Sequence, residues 1–388
     1  MIQLRRDVCL AALLVTACSG PSWRDAVPAD WPYSLDVQPV SANNGMVVST
    51  NRYASVVGVG VLESGGNAVD AAVATAFALA VVNPEAGNIG GGGFMVLRLV
   101  DGTTAALDFR EKAPAAASRD MYLNESGELT DGSRVGHRAV GVPGSVAGLW
   151  EAHQRYGSLS WSDLLAPAVA LADGFTLTDR AARSLNYYDE ALTQFPRTSE
   201  IFLQGGAALS IGDTLIQTDL ANTLRRIQEQ GRVDFYEGET ARLIVEEMRA
   251  NRGIITAQDL AAYQPAWRNP MEFTYRGHQI IAMPPSSSGG VTLALMAKIL
   301  EGYDLSEIPW HSPRMIHLMA EAWKRAYADR NEYLGDPDFI TVQIDTMVSD
   351  EYGAERRAGI SLDRATPSAE WLPGWDRIHR WRTPRTFQ

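Results

Sequence analysis

The stretch from Asn83 to Arg110, NPEAGNIGGGGFMVLRLVDGTTAALDFR, is the part of the chain best suited to building a reactive or binding site. An Asn-led glycine run, Gly90–Gly93, opens into two alternating apolar segments joined at Asp101-Gly102. The second segment delivers a lone arginine, Arg110, at its end. Glycine this dense lets backbone approach backbone, or a ligand, where any Cβ would clash. A guanidinium mounted on a rigid hairpin suits the bidentate holding of a carboxylate. The plainer reading of Arg110 is a surface residue paired with its neighbour Glu111.

Several familiar chemistries are excluded by spacing. No Lys-Ser/Thr pair follows the glycine run, so it is not a P-loop, and Met95 stands where a dinucleotide fingerprint needs its last glycine. There is no H-E-x-x-H, and the six histidines never fall at metal-ligand spacing. His311 and His317 read as core or surface residues. A serine hydrolase would want G-x-S-x-G, and Gly144-Ser145-Val146-Ala147-Gly148 places its serine one position early. Ser286–Ser288 lie in a turn with no base nearby in sequence.

Part of the surrounding secondary structure is legible. Asn67 caps a helix through Val82 with Asp70 in its first turn. That helix is apolar on every side, hence buried, and at about 24 Å is too short to cross a membrane. A strand is expected at Met46–Val48, followed by Ala54–Leu62. The hairpin turns at Asp101-Gly102 and returns along Thr103–Phe109. Leu220, Leu224 and Ile227 define a helix stopped by Gly231. Helices are also expected at Thr240–Arg249, at Thr256–Tyr263 with Thr256 and Asp259 as a capping pair, after Gly290 and at Ile316–Tyr333; Gln279–Met283 reads as a strand. This mixture is an α/β or α+β body.

The 388 residues are 46% apolar and 21% charged, an ordinary globular composition. A net charge of −12 argues against a nucleic-acid partner. Arg5 and Arg6 precede the apolar run Val8–Val15, and Val15-Thr16-Ala17-Cys18 looks like a lipobox with Cys18 as the lipidated residue. Residues 1–18 are therefore expected to be a signal peptide, with membrane attachment only through a lipid anchor and an exported, periplasmic destination. Residues 19–43 read as a polar tether. Both cysteines, Cys9 and Cys18, lie in the leader, so the body has no disulfide, thiol nucleophile or thiolate metal ligand.

Seven segments in order resemble gamma-glutamyltransferase (gamma-glutamyl transpeptidase): NGMVVST (Asn44–Thr50), LESGGNAVDAAVA (Leu62–Ala74), NPEAGNIGGGGFM (Asn83–Met95), DFREKAP (Asp108–Pro114), GVPGSVAG (Gly141–Gly148), MPPSSSGG (Met283–Gly290) and AYADRNEYLGDPDF (Ala326–Phe339). The resemblance implies an N-terminal-nucleophile hydrolase, a precursor that cleaves itself into two subunits sharing one αββα sandwich. Residues 44–360 would be its large-subunit region. A threonine leading the small subunit would attack the γ-glutamyl amide of glutathione or a related compound, its own α-amine acting as base. The acyl group would then pass to water, an amino acid or a peptide, with no metal or organic cofactor. The arginine of the family's FRE motif, here Arg110, would hold the donor's α-carboxylate. The glycine run becomes scaffolding.

The family's Thr-Thr-His-(Phe/Tyr)-Ser stretch does not occur before Gln388, and the tail GWDRIHRWRTPRTFQ (Gly374–Gln388) is unlike the family. A two-base slip in the codons of Thr383–Gln388 permits Asn-Thr-Thr-His-Phe-Ser. The expectation is a frameshift between Ser361 and Trp375, a divergent tail at 361–388, a nucleophilic threonine beyond Gln388 and an inactive chain, incomplete without its small subunit and prone to aggregate. Competing functions are a non-catalytic remnant and a relative such as a glutaryl-type acylase or a capsule poly-γ-glutamate enzyme. FREKAP with Arg110 favours a donor bearing an α-carboxylate. A non-enzymatic binding module has no specific support.

Overall fold

The computed structural model describes residues 38–204, 206–368 and 373–374. The chain divides into a short unit, residues 1–46, and a main unit, 47–388. Residues 38–46 are an exposed run without helix or strand.

The main unit opens with α1 (Arg52–Glu63), packed on α2 (Ala68–Val82). Asn67 and Asp70 form the capping box read from the sequence: the Asn67 side chain accepts the Val69 and Asp70 N–H groups, and Asp70 accepts the Asn67 N–H. Asp70 is fully buried and also takes the Ser158 amide and hydroxyl, tying the start of α2 to a distant loop. Burial pushes this carboxyl up, but the hydrogen bonds from Ser158 and the amides of Asn67, Ser158 and Leu159 outweigh it and hold it below the usual carboxylate range. The expected strand at Met46–Val48 does not form. Val48 is 83% exposed, and no strand among the described residues pairs with this stretch.

The hairpin forms as β1 (Phe94–Arg98) and β2 (Thr104–Asp108), in antiparallel register from Phe94 opposite Asp108 to Arg98 opposite Thr104. Gly102 takes the left-handed φ of 89° that the turn requires, and the Asp101 carboxylate accepts the Thr103 N–H. Helices α3 (Ser145–Tyr156) and α4 (Trp161–Ala172) follow, the latter packed on α2. Residues 175–215 hold two small antiparallel ladders, β3 (Phe175–Thr176) with β6 (Thr214–Leu215) and β4 (Leu203–Gln204) with β5 (Ala207–Ala208). Between β3 and β4 lie the short helices α5 (Asp179–Tyr187), α6 (Asp189–Leu192) and α7 (Pro196–Phe202). Next come α8 (Thr218–Gln230), α9 (Arg232–Glu237), α10 (Glu239–Ala250) and α11 (Ala257–Ala261). Gly231 stops α8 at a φ of 64°, and Thr256 with Asp259 makes a capping box at α11.

Strand β7 (Ala266–Arg268) then returns to pair with β2, placing Ala266 opposite Asp108 and Trp267 opposite Leu107. The hairpin of β8 (Met271–Tyr275) and β9 (His278–Ala282) leads into α12 (Gly289–Leu300), α13 (Pro313–Tyr333), α14 (Ile344–Met347) and α15 (Asp350–Ala358). One apolar core gathers around Phe77, Leu107, Leu164 and Leu224, and a second around Val291, Leu295, Leu318 and Tyr352. Apolar burial of this kind is the main term favouring both.

Helix α13 carries an unusual buried stripe. Glu321, Arg325 and Asp329, four residues apart, are each fully buried, and Arg356 of α15 faces Asp329 at 3.0 Å. Glu321 accepts the Thr366 N–H and Lys324 donates to the Thr366 carbonyl. Asp329 accepts the Gly374 N–H and Tyr333 donates to the Gly374 carbonyl. Two residues of the segment after α15 are thus held at both peptide groups. Residues 369–372 and 375–388 of the tail, like the leader, lie outside the described residues.

Candidate active site

Arg110 lies two residues past β2, and its backbone is fixed from several directions. Its N–H donates to the Asp108 carboxylate at 3.2 Å, and its carbonyl accepts the Tyr263 hydroxyl at 2.8 Å. Asp108 is buried and also receives Arg268 of β7 at 3.3 Å and the Ser286 hydroxyl at 3.2 Å. Arg268 is gripped from its other side by Asp338 at 2.6 and 3.0 Å. These paired hydrogen bonds hold the Arg268 guanidinium above its ordinary value and the Asp338 carboxyl below its own. Neighbouring Trp267 donates its ring N–H to Glu151 and lies under Arg155 at 4.4 Å, which fixes β7 on α3.

The glycines explain how the chain comes this close. A Cβ on Gly92 would lie 2.6 Å from the Phe109 carbonyl oxygen and 2.9 Å from the Arg110 Cα. One on Gly144 would lie 2.0 Å from the same carbonyl oxygen and 2.2 Å from the Tyr263 hydroxyl. The Gly91 carbonyl accepts the N–H groups of Gly144 and Ser145, joining the glycine run to the start of α3. Tyr263 stacks on Tyr236 at 5.7 Å, and the Tyr236 hydroxyl donates to the Pro143 carbonyl. Burial pushes both phenols well above their usual range, so each stays a protonated donor.

The Arg110 side chain is treated differently from its backbone. It is exposed, and its guanidinium has no hydrogen-bond or ion-pair partner among the described residues. The pairing with Glu111 that would make it an ordinary surface arginine does not form. A cation mounted on a rigid base and left without an anion can take a carboxylate at little reorganisation cost. A cavity of about 290 Å³ lies beside the glycine run, walled by Gly91–Gly93, Phe109, Glu111 and Ser145 and backed by Phe77; Arg110 is not among its walls.

A family model for gamma-glutamyltranspeptidase matches residues 54–384. The chain belongs to the gamma-glutamyltranspeptidase family. It is 44% identical over 374 residues to the glutathione hydrolase proenzyme of Escherichia coli K12, covering 95% of this chain but 64% of that one, so it spans less than two thirds of that relative's length. The crystal structure of Helicobacter pylori gamma-glutamyltranspeptidase superposes with a TM-score of 0.86 at 42% identity, covering 88% of this chain and 99% of that one. The gamma-glutamyltranspeptidase of Pseudomonas nitroreducens gives 0.81 at 43% identity, with 87% and 100% covered. The mixed helix-and-sheet body is therefore the N-terminal-nucleophile hydrolase fold of the gamma-glutamyltranspeptidases.

Within that family fold, the sequence-derived residues meet different ends. Arg110 stands two residues past the second hairpin strand, whereas Cys18 lies outside the described residues. The Ser286 hydroxyl donates to a carboxylate already paired with Arg268, and no histidine contacts Ser286 among the described residues, so a serine triad does not assemble there. His311 stacks on Trp310, and His317 bonds the Ser361 carbonyl. No metal-binding cluster occurs among the described residues. Asp108, Tyr263, Arg268 and Asp338 are not legible as a group in the sequence, because more than 150 residues separate Asp108 from each of the other three. The only local signal was an aspartate two positions before Arg110.

Proposed function

We propose that this chain supplies the donor-binding half of a γ-glutamyl transfer site, in a glutathione hydrolase or γ-glutamyltransferase. The exposed, unpartnered guanidinium of Arg110 on its clamped backbone carries the reading. In this proposal Arg110 holds the α-carboxylate of a γ-glutamyl donor such as glutathione. A small subunit of the same precursor presents a threonine hydroxyl to the γ-carbonyl; the C–N bond breaks, the amine leaves with a proton, and an ester acyl-enzyme remains. Water, an amino acid or a peptide then takes the acyl group and returns the proton. No cofactor enters the scheme.

The test is turnover of a chromogenic γ-glutamyl anilide by the assembled two-subunit protein. Arg110→Gln should lower kcat/KM about a hundredfold, the scale of losing charge-assisted hydrogen bonds. Unchanged kcat/KM would refute the assignment. Competition by free glutamate but not by glutarate separates this activity from a glutaryl-type acylase. Export and lipid attachment through Cys18 belong to the same proposal, supported by Arg5, Arg6, the apolar run Val8–Val15 and the small residues before Cys18.

A further inference from the structure

Arg110 has an exposed side chain and a main chain fastened at both peptide groups, a combination that calls for an explanation. Its N–H is taken by Asp108, its carbonyl by Tyr263, and its Cα rests on Gly92, where no Cβ could fit. The two clamping side chains come from opposite flanks. Asp108 is set by Arg268 and Ser286, and Arg268 in turn by Asp338. Tyr263 is set by its stack on Tyr236, whose hydroxyl is itself bound to Pro143 and Ala147. A surface loop does not need this. Exposed peptide groups are satisfied by water at no cost, so two buried side chains spent on one residue's backbone act on where that residue points.

We propose that Asp108 and Tyr263 are positioning residues that fix the Arg110 main chain, and with it the point and direction from which its side chain leaves the backbone, and thereby strengthen the preference for ligands bearing an α-carboxylate. The inference rests on the Arg110 assignment above and deepens it. A long arginine side chain loses several rotatable freedoms on binding; a fixed backbone removes the part of that loss arising from main-chain motion. The clamp contributes to α-carboxylate recognition alone, because the rest of a γ-glutamyl ligand does not touch Arg110 in this scheme.

The experiment measures calorimetric Kd values for L-glutamate and 4-aminobutyrate, which differ only by the α-carboxylate, on the assembled two-subunit protein. Tyr263→Phe keeps the ring stack and removes one donor. By freeing the Arg110 peptide it should weaken L-glutamate about tenfold, the scale of ordering one residue's backbone on binding, and leave 4-aminobutyrate unchanged. Asp108→Asn retains an acceptor for the Arg110 N–H and should keep more of the discrimination than Asp108→Ala. Equal weakening of both ligands by Tyr263→Phe, or no weakening of either, overturns the clamp, as does Asp108→Asn losing as much discrimination as Asp108→Ala. Arg110→Gln separates the two levels. If it leaves L-glutamate binding unchanged, the Arg110 assignment fails; if it removes the discrimination while Tyr263→Phe is silent, only the clamp fails.

Discussion

At the scale of residues, the glycine run divides into positions that need glycine and positions that do not. Gly92 faces the Phe109 carbonyl at a distance no Cβ tolerates, whereas a Cβ on Gly90 meets only the Asn88 side chain at 3.5 Å. Gly92→Ala should therefore destabilise the protein by about 1–3 kcal/mol, the usual range for forcing atoms into filled space. Gly90→Ala should stay within about 0.5 kcal/mol of the parent. Denaturant midpoints of the two variants check this, and equal midpoints would show that the run is merely flexible. The run thus serves the approach of the 109–111 backbone.

At the scale of elements, α13 acts as a rack for the segment that follows α15. Its buried carboxylates respond oppositely to protonation. Burial pushes Glu321 up, but hydrogen bonds from Lys324, Arg325 and Thr366 prevail and bring its carboxyl to about 2. A depressed value in the folded state means stability that is complete above the ordinary glutamate range, near 4.5, and lost as pH falls towards 2. The loss attached to Glu321 should be about 3 kcal/mol. Asp329 is raised by burial, so it favours the folded state at low pH and opposes folding as pH rises through its raised value. Glu321→Gln should flatten the acid limb of a stability–pH curve measured between about pH 5 and pH 2. An unaltered limb would show that other carboxylates control it. Elsewhere, α2 with its capping box and the Asp101-Gly102 hairpin are local enough that cap chemistry and alternation specify them without help. The elements of 175–215 are too short to show a period, and their ladders are only two residues long.

At the scale of the whole molecule, the first apolar core carries the sheet β1–β2–β7, whose last strand arrives from about 160 residues away in sequence. That return places Arg268 beside Asp108 and connects the hairpin to Ser286 and Asp338, which flank the second core. Among the described residues no helix is long and apolar enough to cross a membrane. In the proposed scheme membrane attachment is through Cys18. Cys18→Ser should abolish incorporation of labelled palmitate and release the protein from the membrane fraction. Retained palmitate labelling would refute the lipid anchor.

The family, the mixed α/β body, the Asn67–Val82 helix, the hairpin and the place of Arg110 just past it can all be read along the chain. Each is written in neighbouring residues: a cap, an alternation, a turn pair, or an ordered set of motifs. Three-dimensional packing was needed to show that Arg110 has no partner in Glu111, that Met46–Val48 forms no strand, and which backbone atoms Gly92 and Gly144 admit. It alone assembled Asp108, Tyr263, Arg268 and Asp338 around one peptide. Their association depends on β7 closing on β2 and on two tyrosines stacking across the core, long-range pairings for which local sequence carries no period.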